Sequence, residues 1–229
     1  MLFRSTALAY AAAGSSTTSG GSGYLSISAG ATLDLNGMDA SFDYLTGSGV
    51  VTNLGTAART LALGTLDNVN MATGASVSAV WSGVISDASA ALAVQKRGAG
   101  TQTFTVAQNF SSGLSVLGGT LVLDMSGMTN PNNLIRPSNA LNLAGNLTVK
   151  GAASGTSSQA FYGAINAYAG ATEILGNANG GAGLTVDIGA LTRAAAGATI
   201  NFTAATGVTY KTSGLAATPV GWGTYVGAT

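Results

Sequence analysis

Short runs in which aliphatic and polar residues alternate recur along this chain, each introduced by a glycine. The clearest of these phrases are 30–37, 119–124, 145–151, 183–189 and 197–202. A period of two is that of a β-strand, in which successive side chains point to opposite faces. Phrases of this length bounded by Gly, Asn and Ser therefore predict short strands joined by tight turns.

From Tyr24 onward, strand signals follow one another closely, and no stretch shows a capped helical stripe. The predicted strands are 24–28, 32–35, 50–54, 60–63, 77–81, 92–95, 101–106, 114–117, 120–123, 141–143, 147–149, 184–188, 200–203 and 208–210. This succession predicts an all-β protein.

Two all-β architectures fit short strands with short turns: an antiparallel β-sandwich and a β-solenoid. Two-residue hairpins prefer Asn-Gly or Asp-Gly, and only 36–37 and 179–180 supply such a pair. Recurrence of one glycine-led unit is typical of coils that stack on one another. The pattern therefore favours a right-handed parallel β-helix (β-solenoid), with the antiparallel β-sandwich as the alternative.

The first 23 residues differ from the rest, because Ala-rich sequence gives way to a Gly- and Ser-rich stretch typical of flexible linkers. A second hypothesis is that residues 1–5 are encoded by a sequencing adapter, which would make the chain an internal fragment of a longer protein. The predicted segments are a flexible or artefactual 1–23 and a solenoid 24–229, itself divided into a repeat-like unit 24–123, an irregular stretch 124–138 and a second unit 139–229.

Composition narrows the possible functions. The 229 residues include 8 Lys+Arg and 8 Asp+Glu, with no His and no Cys. Nucleic-acid binding needs clustered basic residues, so no nucleic-acid partner is expected. Disulfides, thiolate metal sites and a Ser-His-Asp triad are excluded by the missing residue types. No apolar run is long enough for a spanning helix, so no membrane span is predicted in this chain.

Asp34, Asp39 and Asp43 form the densest acidic group, which could suggest a calcium site or a carboxylate pair for glycan hydrolysis. Their spacing matches no calcium-loop pattern, and each interrupts an aliphatic alternation at an outward position. We therefore expect solvent-facing strand and turn residues here. Hydrolytic pairs can lie far apart in sequence, so spacing alone does not exclude them.

Asp87, Lys96 and Arg97 could suggest a polysaccharide lyase, yet only one basic pair exists for neutralising a uronate. Trp81, Trp222 and the tyrosines are spaced too irregularly to predict a sugar-stacking face. The sequence therefore predicts a protein that is not an enzyme, with no catalytic residue, no metal ligand and no cofactor.

An ordered series of residues links this chain to a known family. The series is Gly83-Val-Ile-Ser-Asp87, Leu92, Val94, Lys96, Gly98, Gly100, Thr101, Thr103, Asn109, Gly113, Val116 and Gly119-Thr-Leu-Val-Leu123. It resembles the autotransporter-associated β-strand repeat (the passenger-associated transport repeat family), and similarity extends over most of residues 24–229. Two departures stand out: Gln102 replaces the usual aliphatic residue, and the stretch 109–113 is reduced.

The resemblance implies a structural or adhesin-like passenger segment of a secreted, surface-displayed protein from a Gram-negative-type bacterium. It implies an outer-membrane translocation barrel elsewhere in the full-length protein, and surface glycans or host cells as contacts. Two other functions stay open: a β-helical carbohydrate-active enzyme, either a polysaccharide lyase or a hydrolase, and a sugar-binding module.

Overall fold

Every regular element in the described part of the chain is a β-strand. The computed structural model describes residues 2–4, 8–11, 24–64, 76–213 and 221–227. The strands in chain order are β1 (Leu2–Arg4), β2 (Leu8–Ala11), β3 (Tyr24–Ile27), β4 (Thr32–Asp34), β5 (Ala40–Phe42), β6 (Leu45–Gly47), β7 (Val50–Asn53), β8 (Arg59–Leu63), β9 (Ser78–Trp81), β10 (Val84–Asp87), β11 (Leu92–Lys96), β12 (Thr101–Phe104), β13 (Leu114–Val116), β14 (Thr120–Asp124), β15 (Leu141–Leu143), β16 (Asn146–Lys150), β17 (Thr156–Phe161), β18 (Ile165–Ala167), β19 (Gly170–Asn177), β20 (Gly183–Ile188), β21 (Leu191–Arg193), β22 (Ala198–Ala204), β23 (Val208–Lys211) and β24 (Gly223–Val226).

These strands lie on three faces that the chain visits in turn. The first face is one sheet in the order β2-β3-β6-β9-β12-β14-β16-β19-β22-β24, and the third face is β5-β8-β11-β13-β15-β18-β21. The middle face consists of two shorter sheets, β1-β4-β7-β10 and β17-β20-β23. Isolated bridges, Ser86 to Asn109 and Asn132 to Ser158, lie between these two sheets. Parallel pairing from β3 onward confirms the predicted all-β, parallel β-helical fold and rules out the antiparallel sandwich.

The coils stack in register although their lengths differ. One turn takes 19 residues where Thr103 pairs with Val122 and 34 residues where Gly47 pairs with Trp81. The longest turn includes 65–75, which lie outside the described residues. The strands therefore keep their alignment although the number of residues between them varies.

Aliphatic side chains form continuous columns inside the coil. Leu121, Leu147 and Ile174 lie in register on neighbouring strands of the first face, and all three are fully buried. Burying each such side chain contributes about 1.5–3 kcal/mol relative to leaving it exposed. Stacking of like residues therefore supplies the core that a single coil lacks.

Glycine is required at the corners because the corners stack as closely as the strands. A Cβ on Gly119, whose φ is +58°, would lie 2.3 Å from the carbonyl oxygen of Gly100. A Cβ on Gly145 would lie 2.8 Å from the amide nitrogen of Gly118. At these two corners the glycine that introduces the strand phrase is therefore a packing requirement, whereas at Gly30 and Gly197, with φ of +79° and +78° and no atom within 4 Å of a Cβ, it serves the left-handed backbone.

The recurring phrase does not occupy one fixed face. The phrases at 119–124, 145–151 and 197–202 form strands of the first face, whereas those at 30–37 and 183–189 form strands of the middle face. The phrase thus encodes a strand after a tight corner, and either face can use it.

Within residues 1–23, the structure describes two strands. The strand β1 pairs antiparallel with β4, and β2 pairs antiparallel with β3. The proposal that this segment is flexible or artefactual, and the division of 24–229 into units, stay predictions.

Candidate functional site

Asp34, the first of the acidic candidates, is buried at the end of β4. Its side chain is 2% exposed, and Oδ1 accepts N–H groups from Asn36 at 2.8 Å and Leu54 at 2.9 Å. The first bond closes the corner of its own coil, and the second reaches the next coil. The solvent-facing position predicted for Asp34 is therefore wrong, because corner N–H groups outside the strand ladder need a side-chain acceptor.

The same arrangement recurs in the two coils that follow. Oδ1 of Asn53 accepts N–H groups from Gly37 at 3.0 Å and Gly55 at 3.2 Å. Asp87 likewise joins an N–H of its own coil to one of the next coil. The carboxylate of Asp87, a candidate for a lyase site, therefore accepts backbone N–H groups near the start of β11. Lys96 lies at the other end of that strand.

Lys96 is fully buried and is held by backbone carbonyl groups. Its Nζ donates to the carbonyl oxygens of Arg97, of Gly98 at 3.0 Å and of Gly118 at 3.3 Å. An ammonium group has three donors, so these acceptors satisfy it completely. Burial lowers the pKa of Lys96 to about 8. The fully buried side chain thus joins the corners of two coils.

Buried glutamines also serve the backbone. Gln102, Gln108 and Gln159 are each at most 3% exposed. The Oε1 atom of Gln108 accepts the N–H of Ile85 at 2.8 Å, and that of Gln159 accepts the N–H of Ile135 at 3.1 Å. These bonds occur where the strand ladder of a neighbouring coil is interrupted. The buried polar groups of this chain are therefore largely engaged in holding coils together.

An outward groove lies on the third face of the coil. It crosses β5, β8 and β11, has a volume of about 390 Å³ and is open to solvent. Ser41, Ala62 and Gln95 lie in register across these strands. The lining residues are Asp39, Ala40, Ser41, Thr60, Ala62, Gln95 and Arg97.

Opposite charges occupy the two ends of this groove. Asp39 is exposed at the corner before β5, and its Oδ1 accepts the backbone N–H of Thr60 at 2.8 Å. Arg97 is exposed just after β11, where Gln95 Oε1 accepts from its Nε at 3.1 Å and its Nη2 at 2.6 Å. The guanidinium is thereby held in one orientation beside the groove.

The predicted candidates are thus distributed over different parts of the coil. Asp39 and Arg97 share a groove, which sequence spacing did not indicate, and Asp43 is half-buried in the next corner. Trp81 is fully buried, while Trp222 is partly buried against the core.

Tyr162 is exposed and donates its hydroxyl to Asp187 Oδ2 at 3.1 Å. Although burial alone would raise the pKa of Asp187, hydrogen bonds from Ser213 and Tyr162 lower it. Tyr168 and Tyr225, the other exposed tyrosines of the described chain, lie at a different corner and in β24. The aromatic side chains do not form one sugar-stacking surface in the described residues.

No three His, Cys, Asp or Glu residues of the described ranges lie close enough together to hold a metal ion. The described residues also include no helix with the length and apolarity needed to cross a membrane. Among known proteins, no family model, no curated protein and no solved structure matches the chain.

Proposed function

We propose that this chain is a structural, adhesin-like β-helical passenger segment of a secreted, surface-displayed protein of the autotransporter type. In this proposal the stacked coils hold other parts of the protein away from the outer membrane of a Gram-negative-type bacterium. A translocation barrel elsewhere in the full-length protein would carry the segment across that membrane. The segment itself catalyses no reaction and needs no cofactor.

One observation carries the proposal: the core runs without interruption along the coil. Buried apolar residues from Leu25 to Ile200 form a single cluster. The nine strands β3 to β24 of the first face add about 4.8 Å each to the length of the body. Such a body suits a spacer, because each coil contacts only its neighbours and length grows with coil number.

The buried polar residues support the same proposal. Asp34, Asp87 and Lys96, three of the six residues first considered for catalysis, are engaged with backbone N–H or C=O groups. Catalytic acids and bases must instead reach a bound substrate. These residues therefore support a structural role in the coil.

Surface display tests this proposal. The whole chain would be fused between a secretion signal and a heterologous outer-membrane translocation barrel, and exposure would be measured by protease treatment of intact cells. We expect the segment to reach the surface and to yield a protease-resistant fragment. A chain that stays in the periplasm while the barrel inserts correctly would contradict the passenger role.

An activity assay separates the spacer from the enzyme alternative. The purified chain would be incubated with acidic and neutral polysaccharides, and new reducing ends and unsaturated uronates would be measured. We expect neither product. Turnover that disappears in a Lys96→Met or Asp39→Asn variant would replace the structural proposal with a carbohydrate-active enzyme.

A further inference from the structure

The groove on the third face has small residues at its floor and one charged residue at each end. Its floor is formed by Ser41 and Ala62, whose small side chains leave space between longer neighbours. On β8, Thr60 is in register with Ala93 of β11, which comes four residues before Arg97. On the other side of β8, the register of β5 places Asp39 opposite Thr60. Two strand spacings and four residue steps therefore separate the Cα atoms of Asp39 and Arg97, on the order of 16 Å. A ligand that contacts both ends must be elongated.

Arg97 provides an exposed positive charge that forms no ion pair among the described residues. The ion pair found there joins Lys150 to Asp124, and Arg97 is not part of it. Gln95 accepts from Nε and Nη2 on one edge of the guanidinium, which fixes its plane. The remaining N–H groups have the planar geometry that matches a carboxylate. The groove therefore has one preorganised site for an acidic group.

The rest of the groove is suited to hydroxyl groups. The carboxylate of Asp39 has acceptor capacity beyond its one bond to the N–H of Thr60. The hydroxyls of Ser41 and Thr60 can each donate and accept. One cation and one anion at opposite ends are unsuited to a polyanion such as nucleic acid, which needs many basic contacts.

We propose that this groove binds an acidic oligosaccharide, with a sugar carboxylate on Arg97 and sugar hydroxyls on Asp39, Ser41 and Gln95. Charge complementarity at Arg97 and the separation of Arg97 from Asp39 across the groove carry the proposal. It deepens the adhesin-like part of the proposed function by naming the ligand class. Uronates of plant or microbial polysaccharides and sialates of animal glycans share the required carboxylate.

An NMR titration of the purified whole chain tests this proposal. The probes are trigalacturonate with maltotriose as its neutral counterpart, and 3′-sialyllactose with lactose as its neutral counterpart. We expect one acidic probe to bind about tenfold or more tightly than its counterpart, because a charged hydrogen-bonded pair is lost in the neutral sugar. Which acidic probe binds distinguishes the two sources.

Two arginine variants make the test specific. Arg97→Gln should reduce the affinity for the acidic probe to that of the neutral sugar, while thermal stability stays unchanged because the side chain is exposed. Arg193→Gln removes an exposed arginine at the end of β21 on the same face, outside the groove, and should leave affinity unchanged. Equal binding of acidic and neutral probes, or equal losses in the two variants, would overturn the proposal. Both measurements are independent of surface display, so the two proposals can fail separately.

Discussion

The side-chain amide of Gln102 pairs with both backbone groups of Leu45, 57 residues earlier in the chain. Oε1 accepts the N–H of Leu45 at 3.1 Å, and Nε2 donates to its carbonyl oxygen at 2.9 Å. The intervening strand β9 places the small Ala79 in register with Gln102 and pairs with β6 only through Gly47 and Trp81. The glutamine thus replaces ladder bonds that the longest coil interrupts.

Replacing Gln102 with leucine should therefore destabilise the coil strongly. Gln102→Leu leaves the backbone N–H and C=O of Leu45 without these partners, and the free energy of unfolding should fall by about 2–4 kcal/mol. Denaturant unfolding monitored by circular dichroism measures this change. Gln95→Leu, on the outward side of β11, is the control and should change the free energy by about 0.5 kcal/mol or less. Equal losses in both variants would contradict the bridging role.

The sequence predicted the fold where aliphatic residues alternate with polar ones. Predicted strands at 141–143 and 184–188 match β15 and β20 within a residue. Periodicity was informative there because the inward positions are apolar. The structure places the weak pairing between β6 and β9, whereas β12, which contains Gln102, pairs regularly with both neighbours.

Two of the strands that the sequence did not predict, β17 and β19, have polar residues at inward positions. Ser157 and Gln159 are buried in β17, and Thr172 is buried in β19, the longest described strand. Small and polar residues at inward positions remove the contrast on which periodicity depends. Gln159 is stabilised by a backbone partner in another coil, Ile135, which sequence alone does not identify. Ser157 accepts the N–H of Ala152 at 2.8 Å, and Thr172 Oγ1 has no hydrogen-bond partner among the described residues.

The groove could not be predicted for a related reason. Asp39 and Arg97 line the same groove because three coils of different lengths stack in one register. Coil length depends on how many residues each corner accommodates, and composition does not fix that number. Asp34 was misplaced because the alternation breaks at the end of β4, where Leu33 and Asp34 are both buried and the Asp34 carboxylate accepts N–H groups.

Removal of the corner carboxylate at Asp34 should cost more than removal of an exposed one. Asp34→Ala leaves two N–H groups, those of Asn36 and Leu54, without this acceptor. The free energy of unfolding should fall by about 2–3 kcal/mol. Asp39→Ala loses one exposed hydrogen bond and should cost about 1 kcal/mol or less. A larger loss for Asp39→Ala in urea unfolding would show that the corner bonds of Asp34 contribute little.

A methyl group at a stacked corner should disturb the coil. Gly119→Ala combines a left-handed backbone with a contact of 2.3 Å to a carbonyl oxygen, so we expect a loss of about 2–4 kcal/mol. Gly127 has no atom within 4 Å of the position that a Cβ would occupy, and it serves as the control. Gly127→Ala should leave the melting temperature unchanged or raise it slightly. Similar melting temperatures for both variants would contradict close corner packing.

The stability contributed by Lys96 should increase with pH. Burial lowers its pKa from 10.5 to about 8, so between these values the unfolded chain binds more protons than the folded one. The free energy of unfolding of the wild type should rise relative to Lys96→Met across this window, by up to about 3 kcal/mol. Below pH 8 the difference should be constant. Subtracting the free energy of the variant from that of the wild type removes the contribution of tyrosine titration, including that of Tyr210, whose pKa is raised by burial.

Distances along the first face test the stacked coil most directly. The chain contains no cysteine, so pairs of spin labels can be placed at Thr46, Thr103 and Thr203 alone. The parallel register puts four strand steps between Thr103 and Thr203, and six between Thr46 and Thr203. With about 4.8 Å per step, the backbone separations should be about 19 and 29 Å. Separations that do not increase by about 10 Å from the first pair to the second would contradict the continuous β-helix.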